Sequence, residues 1–375
     1  MTPFPREGFR ALRRYTPIED PVEIELSDNT NLWGCHPDAL AVMRDAASGD
    51  ISNYPQAYSS DLRDAVADTF DVPAECVITG CGSDDVLDST FRAVCDPGAR
   101  VAFPNPTFLM IPHLLVVNSL QGVPLGNARR PPSPRQLLDA GADLIYVCTP
   151  NNPTGTALSR AWIEELLDGV GSTGPVVILD EAYYEFNVAS PGYDPGDTSL
   201  VKRALAVPRI MIARTFSKAY GLAGLRAGFG IAHPDLLGEV EKARGPFKVG
   251  LLAERAAAAA LRDRSGWLEP TVREIVACRD RLVAELRRRG GDPLPSSANF
   301  IMLPVPAPAV EVTREMIARG IAVRPFPNVP GVGEALRVTV GPPPVIERFI
   351  EAWEDICHPA AGDAGQEAIA AEAAG

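Results

Sequence analysis

The chain has 375 residues, of which 46% are hydrophobic and 22% are charged, and its formal net charge is −13. A chain of this length can bury a large core, and we expect it to divide into two domains of ordinary soluble composition. The acidic balance excludes a nucleic acid or an anionic membrane as the expected partner, because no extended basic patch offsets it.

Cysteine and histidine usage argues against a disulfide framework and against a metal site. The seven cysteines form no C-x-x-C pair, and the four histidines show no spacing typical of metal ligands. Free thiols in a reducing compartment are the simplest interpretation. The N-terminus lacks the apolar region of a signal peptide, and no run of about 18 apolar residues occurs. We therefore expect a cytoplasmic protein that does not span a membrane.

The middle of the chain alternates short apolar runs with amphipathic stretches. The runs V-I-T-G, R-V-A-F, L-I-Y-V-C, V-V-I-L and I-M-I-A are apolar throughout, which is typical of strands buried on both faces. Residues 84–94 and 159–170, which lie between such runs, have the periodicity of helices. This alternation predicts an α/β fold with a mostly parallel central sheet flanked by helices, in a large domain over residues 41–244.

The pattern changes beyond the large domain. Residues 251–261 and 271–289 predict two long helices, and the runs A-N-F-I-M-L-P, G-I-A-V-R-P and L-R-V-T-V-G predict strands. These elements indicate a smaller α+β domain over residues 245–358. We expect residues 1–40 to join that domain, and residues 359–375, rich in alanine, glycine and acidic side chains, to form a disordered tail.

Polar residues follow each predicted strand of the large domain, where open parallel sheets bind their ligands. After the first strand, Gly82 permits close approach, and Ser83 and Asp84 open a helix whose free amides suit a phosphate. An ordinary helix cap is the alternative. After the second strand, the Phe108 ring could stack on a flat heteroaromatic ring, although a core position is the commoner fate of a phenylalanine.

The next two strands end in an amide and a carboxylate. The turn T-P-N-N-P-T-G holds Asn152 rigidly, so that its amide could bond a ring oxygen and a substrate carboxylate. Asp180 ends V-V-I-L, where a carboxylate could keep a pyridine nitrogen protonated and make the ring an electron sink. Tyr183 follows three residues later and could donate to a ring phenolate. A plain turn asparagine and a helix-capping aspartate are the alternatives.

The fifth strand leads into R-T-F-S-K-A-Y-G-L-A-G-L-R-A-G, which contains Lys218. A lysine amine attacks aldehydes only when it is positioned and partly deprotonated. Thr215, Ser217 and Arg226 could hold an anion beside that amine, as in a Schiff base to the aldehyde of a phosphorylated cofactor. A solvated lysine is the alternative, and it is the joint occurrence of these motifs that favours chemistry.

The small domain contributes a guanidinium. In A-L-R-V-T-V-G, Arg337 is predicted at the start of a strand, and an arginine fork matches a carboxylate in bidentate geometry. A surface arginine on an edge strand is the alternative.

On these motifs the chain resembles the fold-type I pyridoxal-phosphate aminotransferases, specifically the histidinol-phosphate aminotransferase group. G-S-D-D-V-L-D, N-N-P-T-G, D-E-A-Y-Y-E-F, the lysine segment and L-R-V-T-V-G follow in family order across residues 27–341. The resemblance implies pyridoxal 5'-phosphate as cofactor. It also implies amino transfer between glutamate or 2-oxoglutarate and a small-molecule amino donor of the histidinol-phosphate type.

The resemblance also implies a role for each cofactor-binding residue. Lys218 binds the cofactor aldehyde and carries protons, Asp180 pairs with the pyridine nitrogen, and Tyr183 and Asn152 bond the ring oxygen. Phe108 covers the ring. The phosphate is surrounded by Gly82, Ser83, Asp84, Thr215, Ser217 and Arg226.

On the substrate side, the resemblance assigns the substrate carboxylate to Arg337 and a second cationic position to Arg324, one strand away. Tyr54, in N-Y-P-Q-A-Y, is similar to the tyrosine that the family lends to the phosphate of the neighbouring subunit. This similarity implies a homodimer with shared active sites.

The chain departs from the family pattern where we expect the substrate pocket. N-T-N-L-W-G replaces N-E-N-P-(aromatic)-G, so that Thr30, Leu32 and Trp33 stand at the expected entrance, and Phe108 replaces a tyrosine. Leu32 and Trp33 would make the entrance more apolar, which favours an aromatic donor. Lys248, where the group commonly has asparagine, could contact a substrate phosphate. Histidinol phosphate is therefore the first expected donor, and phenylalanine or tyrosine the second.

Two other functions remain open at this point. A decarboxylase, lyase or cyclase could use the same lysine and electron sink, since fold does not determine which bond breaks. Arg337 favours chemistry that retains the carboxylate, which is transamination. A sensing domain of a transcription regulator would need a DNA-binding module, for which motifs that start almost at the N-terminus leave no room.

Overall fold

The computed structural model describes residues 4–14, 21–190 and 200–357, where the chain forms two sheets and their flanking helices. The predicted tail, residues 359–375, lies outside the described residues. The strands are β1 (Ile24–Leu26), β2 (Val77–Cys81), β3 (Arg100–Pro104), β4 (Gln121–Leu125), β5 (Leu144–Cys148), β6 (Val176–Asp180), β7 (Ile210–Thr215), β8 (Ala227–Ala232), β9 (Phe300–Pro304), β10 (Ile321–Val329) and β11 (Gly333–Thr339). The helices are α1 (Glu7–Arg10), α2 (Pro37–Arg44), α3 (Ser48–Ser52), α4 (Ser60–Phe70), α5 (Ser83–Val94), α6 (Met110–Val117), α7 (Pro134–Leu138), α8 (Arg160–Val170), α9 (Tyr184–Val188), α10 (Val201–Ala206), α11 (Pro234–Ala243), α12 (Leu251–Arg262), α13 (Leu268–Arg288), α14 (Ala309–Ala318) and α15 (Pro343–Cys357).

The larger sheet has seven strands in the order β2-β8-β7-β6-β5-β3-β4. The pairs from β4 through β3, β5 and β6 to β7 are parallel, whereas β8 runs antiparallel to both β7 and β2. The predicted mostly parallel central sheet is therefore confirmed. Its five sequence-predicted strands are β2, β3, β5, β6 and β7.

The sequence interpretation missed β4 and β8, and both contain residues that weaken strand patterns. β4 reads Q-G-V-P-L and lies at the sheet edge, where proline is tolerated. β8 reads A-G-F-G-I-A, which the interpretation treated as part of a glycine-rich turn. Its glycines permit close packing, because a Cβ on Gly228 would lie 2.4 Å from the backbone nitrogen of Ser83.

The central strands are buried on both faces, as their uniformly apolar sequences predict. In β5, Ile145 and Val147 pack into one hydrophobic cluster, while Leu144 and Tyr146 face another. Helices such as α8 and α5 cover these two faces with Leu166 and Val86 among their buried side chains. Helices thus cover the sheet on both faces, and the ends of its strands determine where the residues that follow them lie.

The smaller sheet has four strands in the order β1-β10-β11-β9. β1, from the N-terminal part of the chain, pairs parallel with β10, and β11 lies between β10 and β9 in antiparallel pairs. Arg337 is the fifth residue of β11 and is only 8% exposed. The expectation that it starts a strand is wrong, and the edge-strand alternative does not apply. The domain boundaries themselves remain predictions.

Among the described residues, no helix combines the length and the apolar character that crossing a bilayer requires. The longest, α13, has 21 residues and carries charged side chains along its length.

Candidate active site

A cavity of about 380 Å³ opens where the strand ends of the larger sheet meet the smaller sheet. Pockets of this size commonly take a small ligand. All the predicted site residues except Gly82 and Tyr54 line it, namely Ser83, Asp84, Phe108, Asn152, Asp180, Tyr183, Thr215, Ser217, Lys218, Arg226, Arg324 and Arg337. The structure thus brings together residues that are up to 254 positions apart, from Ser83 to Arg337.

Asp180 ends β6 as a buried carboxylate with defined partners. Its Oδ2 accepts a hydrogen bond of 2.6 Å from the Tyr146 hydroxyl, and its Oδ1 accepts one of 3.1 Å from the Ala182 backbone. The next helix, α9, begins after Tyr183, so Asp180 is not its cap. Burial raises the pKa of Asp180 to about 6, and the bond from Tyr146 opposes that rise. The carboxylate is therefore charged above about pH 6.

Sequence reasoning missed Tyr146. It lies in the middle of β5 and is fully buried. A tyrosine inside an otherwise aliphatic buried strand needs a partner for its hydroxyl, and that signal could have pointed to Asp180. Burial, followed by the charge of Asp180, raises the pKa of Tyr146 well above its usual range, so the hydroxyl stays a donor.

Lys218 follows β7 and points into the same cavity. Its Nζ donates a hydrogen bond of 3.1 Å to the Asp28 carbonyl oxygen, in the loop after β1. Burial, with the neighbouring charge of Arg337, lowers the pKa of Lys218 to about 8. A substantial share of this amine is therefore neutral at slightly alkaline pH, as attack on a carbonyl requires.

A cradle for an anion lies at the start of α5. Gly82 precedes the helix with φ +77°, and a Cβ there would lie 2.7 Å from Nη2 of Arg226. Thr215 Oγ1 bonds Ser217 Oγ at 3.0 Å, and Nη1 of Arg226 donates to the same Ser217 oxygen at 3.3 Å. Free helix amides near Ser83, hydroxyls and a guanidinium thus converge, which suits a phosphate.

On the side of the cavity opposite this cradle, a hydrogen bond joins Arg337 of the smaller sheet to Asn152, which follows a strand of the larger sheet. Arg337 donates from Nη1 to Asn152 Oδ1 at 2.7 Å and from Nη2 to the Ser27 carbonyl at 2.5 Å. Because its carbonyl oxygen is engaged, Asn152 has its side-chain NH₂ group to offer to a bound ring oxygen. The buried Tyr183 hydroxyl accepts from Asn29 Nδ2 at 2.9 Å, and burial raises its pKa, so it too remains a donor.

Arg324 and Arg337 lie directly opposite each other in the β10–β11 pair. Opposed residues of an antiparallel pair point to the same face of a sheet, and both of these side chains line the cavity. The phenyl rings of Phe300 and Phe326 have their centroids 5.6 and 5.7 Å from Cζ of Arg337. The smaller sheet therefore contributes two arginine side chains to the lining of the cavity.

In the structure, some of the residues that depart from the family pattern line the cavity and others do not. Thr30 and Phe108 line the cavity, but Leu32 and Trp33 are partly buried against the hydrophobic core instead. The expectation that these two make the entrance more apolar is therefore wrong; the Asn31 carboxamide, which accepts from the Trp33 backbone, turns the chain away. Lys248 also lies outside the cavity lining, because its Nζ bonds Asp85 Oδ1 at 2.8 Å.

Tyr54 lies on the surface and does not line the cavity of its own chain. It is 85% exposed, and its ring packs on that of Phe247 with a centroid distance of 5.0 Å.

His36, Asp38 and Asp263 place their ligand atoms within 4.8 Å of one another. Their contacts have a structural explanation. The buried His36 ring contacts Asp263 Oδ1 at 2.9 Å through Nε2 and accepts from the Asp38 backbone through Nδ1. Asp263 also accepts from the backbone of Trp267 and Leu268 at the start of α13. The cluster thus holds the beginnings of two helices.

Comparison with known proteins agrees with this geometry. The family model described as aminotransferase class I and II matches residues 21–352. A histidinol-phosphate aminotransferase 2 of Carboxydothermus hydrogenoformans is 35% identical, over 92% of this chain and 97% of its own. An aromatic amino acid aminotransferase of Streptomyces avermitilis is 36% identical, over 89% of this chain and 90% of its own.

In fold, the chain is similar to the crystal structure of histidinol-phosphate aminotransferase from Sinorhizobium meliloti in complex with pyridoxal-5'-phosphate. The TM-score is 0.83 at 24% identity, with 94% of this chain and 96% of that one covered. The chain belongs to the aminotransferase class I and II family, and it is an aminotransferase.

Proposed function

We propose that this aminotransferase uses pyridoxal 5'-phosphate to move an amino group between glutamate or 2-oxoglutarate and an amino donor of the histidinol-phosphate type. The observation that carries the proposal is the convergence of Lys218, Asp180 and the pair Arg324–Arg337 on one cavity. An amine for an aldehyde, a carboxylate for a ring nitrogen and two guanidiniums for anions form a complete set for this reaction.

The residues present fit this cofactor. The cradle at the start of α5 has no side chain at Gly82, where a Cβ would collide with Arg226, and so leaves room for a phosphate. The buried carboxylate of Asp180 lies on the other side of Lys218 along the strand ends, and the Phe108 ring borders the same cavity. When bound, the cofactor supplies the electron sink that stabilises negative charge at the substrate Cα.

The protein's own groups then control the protons. Asp180, charged above about pH 6, would hold a proton at the ring nitrogen of the bound cofactor. Nζ of Lys218, with its pKa lowered to about 8, would accept the proton from the substrate Cα and donate it again later in the reaction. The Tyr183 hydroxyl and the Asn152 NH₂ group, which both line the cavity, would donate hydrogen bonds to the ring oxygen of the cofactor.

The smaller sheet selects the substrate. Arg337 binds the substrate carboxylate or the phosphate that takes its place, and Arg324, opposite it in the strand pair, adds a guanidinium contact to that phosphate or to the second carboxylate of glutamate. Both glutamate and histidinol phosphate bring anionic groups to this wall. An aromatic amino acid is the second candidate donor, since Phe108, Leu109 and Met110 line the cavity and a relative with 36% identity carries that name.

A panel of amino donors with 2-oxoglutarate, scored by kcat/KM, tests the assignment. Histidinol phosphate is expected to exceed phenylalanine and tyrosine by at least about tenfold, because its doubly charged phosphate can contact both guanidinium groups, whereas a single carboxylate engages one of them. Higher kcat/KM for the aromatic donors would establish the second candidate. The absence of transfer from any donor on the panel would refute both.

A spectral experiment separates transamination from a decarboxylase, lyase or cyclase. Excess amino donor without an oxo acid is expected to convert the bound cofactor stoichiometrically to its amine form, with loss of the absorbance of the lysine-bound form. A cofactor spectrum that returns to its starting state while the donor is consumed would indicate one of the other reactions.

We further propose a homodimer in which Tyr54 reaches the phosphate of the partner's cofactor. The exposed rings of Tyr54 and Phe247 pack on each other, and Ile51, three residues before Tyr54, is 73% exposed, so this part of the chain exposes apolar side chains, which favours association. Tyr54→Phe is expected to raise the dissociation constant of the cofactor. In mixtures with Lys218→Ala, heterodimer activity should depend on which chain carries each change, whereas independent behaviour of the two chains would refute a shared site.

We also propose the cytoplasm as the compartment of this protein. All seven cysteines are free thiols, and Cys76, Cys148 and Cys278 among them are buried. Persistent free thiols are typical of a reducing environment. Quantitative reaction of the native and unfolded protein with a thiol reagent would count them in material isolated from the cell.

A further inference from the structure

We propose that Lys248 is a positioning residue for the phosphate end of the cofactor, acting through Asp85, and that it does not contact the substrate. The inference rests on the proposed cofactor. It replaces the expectation that Lys248 supplies a second contact for a substrate phosphate.

The helix that receives the phosphate begins with two adjacent carboxylates, which is unfavourable for a bound anion. Asp84 and Asp85 are both in the first turn of α5. Each has its own cation: Arg226 Nη2 lies 3.5 Å from Asp84 Oδ2, and Lys248 Nζ lies 2.8 Å from Asp85 Oδ1. Arg226 lines the cavity and can also contact the ligand, whereas Lys248 lies outside it and contacts Asp85.

Asp85 also braces the turn that forms the cradle. Its second oxygen, Oδ2, accepts a hydrogen bond of 3.1 Å from the Cys81 backbone. The carboxylate therefore joins Lys248 to the turn that contains Gly82, whose φ of +77° only glycine adopts readily. The Asp85 side chain is 11% exposed and that of Lys248 is 29% exposed, so the pair is better shielded from solvent than an ordinary surface ion pair.

Lys248 is the cation that bonds directly to Asp85, while the other charges nearby are engaged elsewhere. Glu241 on α11 interacts with Asp85 as a like charge, and its own cations are Arg244, at 3.7 Å, and Arg63. Without Lys248, Asp85 would be left as a shielded negative charge beside Glu241 and close to the phosphate. That charge would repel the phosphate and relax the turn that it now braces.

The residue before Lys248, Phe247, belongs to the surface aromatic pair that it forms with Tyr54. Phe247, next to Lys248, donates from its backbone to the Ala57 carbonyl at 3.1 Å, and its ring packs on Tyr54. The Asp85–Lys248 pair thus links the phosphate cradle to the segment that positions Tyr54.

The test compares the binding of pyridoxal 5'-phosphate with that of pyridoxal, which lacks the phosphate, by the cofactor-free protein. Lys248→Met is expected to raise the dissociation constant of pyridoxal 5'-phosphate about tenfold, or about 1.4 kcal/mol, and to leave that of pyridoxal within about twofold. Lys242→Met is the matched control, because Lys242 pairs with Glu239 on an exposed face of α11. It should change neither constant.

Two further variants separate charge from fold. Asp85→Asn combined with Lys248→Met is expected to bind pyridoxal 5'-phosphate within about threefold of the wild type, since the uncompensated carboxylate is gone. Lys248→Arg keeps the charge and is expected to bind within the same range. If Lys248→Met does not fold, either of these two variants would still overturn the inference by binding pyridoxal 5'-phosphate more than about threefold more weakly than the wild type.

Equal weakening of both ligands by Lys248→Met would mean a purely structural role and would overturn the inference. An unchanged constant for pyridoxal 5'-phosphate would do the same. A wild-type protein that binds pyridoxal as tightly as its phosphate would instead overturn the cofactor assignment, and the inference with it.

Discussion

The two walls of the cavity are built in different ways. The cofactor wall consists of Asp180, Lys218 and the cradle at Gly82, and it is formed by the ends of strands that are buried on both faces. The substrate wall consists of Arg324, Arg337 and the loop at residues 28–30, and Arg337 is bonded both to Asn152, which follows β5 of the larger sheet, and to Ser27, which follows β1 of the smaller sheet. The comparison teaches that the proposed catalytic groups follow strands of one sheet, whereas the proposed substrate contacts lie where separate elements meet.

Replacement of Lys218 tests the cofactor wall most severely. Lys218→Ala is expected to abolish turnover, a loss of at least about four decades in kcat, because Lys218 is the only lysine among the described residues that line the cavity. The purified variant should also lack the absorbance of a protein-bound cofactor imine. Lys218→Arg should not restore activity, since a guanidinium does not form the imine. Retained multiple turnover would contradict the assignment.

Asp180→Asn is expected to have the second largest effect. The cofactor should remain bound, but kcat should fall by roughly two to three decades, because a buried charge-assisted bond worth about 2–4 kcal/mol is lost. Steady-state kinetics together with the cofactor content of the purified protein would measure both quantities. A fall of less than about tenfold would assign Asp180 a structural role only.

Arg324→Ala tests the substrate wall. KM for histidinol phosphate is expected to rise by about 10- to 100-fold, since one charge-assisted contact of about 1.5–3 kcal/mol is removed. KM for phenylalanine should change far less, and the dissociation constant of the cofactor should not change. Equal effects on the two donors would mean that Arg324 does not select between them.

Tyr146→Phe is expected to have the smallest effect and to depend on pH. The hydroxyl donates to Asp180 and lowers a pKa that burial has raised to about 6, so its removal moves that pKa upward. More of Asp180 is then protonated in slightly acidic solution. We expect kcat to fall by about three- to tenfold near about pH 6.5 and much less near about pH 8.5.

A pH profile of kcat for both proteins would measure the displacement of the acid limb. The control is Tyr58→Phe, at a half-exposed tyrosine that does not line the cavity. A uniform fall in kcat at all pH values would show that Tyr146 only packs.

The larger sheet and the cofactor wall were largely predictable from the sequence. Strands buried on both faces are apolar throughout, and a parallel arrangement brings the polar residues after them to one edge, as with Asp180 and Lys218. β8 was not predictable in this way, because glycines at 228 and 230 erase the apolar pattern. Tyr146 was missed because a single hydroxyl in an apolar strand has no periodicity.

The substrate wall was less predictable, because its contacts join distant parts of the chain. The bond from Arg337 to Asn152 spans 185 residues, and that from Arg337 to Ser27 spans 310. Neither has a local signal. The direction in which Leu32 and Trp33 point depends on a loop conformation, set in part by the bond from the Trp33 backbone to Asn31. The identities of Leu32 and Trp33 alone therefore led to a wrong prediction of where their side chains lie.

The glycine at position 228 has a consequence for directed evolution of this enzyme. A side chain there would meet the Ser83 nitrogen at 2.4 Å and the Gly82 carbonyl carbon at 2.5 Å, both of which are backbone atoms that cannot rotate away. Libraries that randomise this position should therefore return almost exclusively glycine, whatever amino donor is used for selection. Positions 30 and 324 border the cavity without such crowding from the cradle, so new donor preferences should accumulate there while the cofactor stays in place.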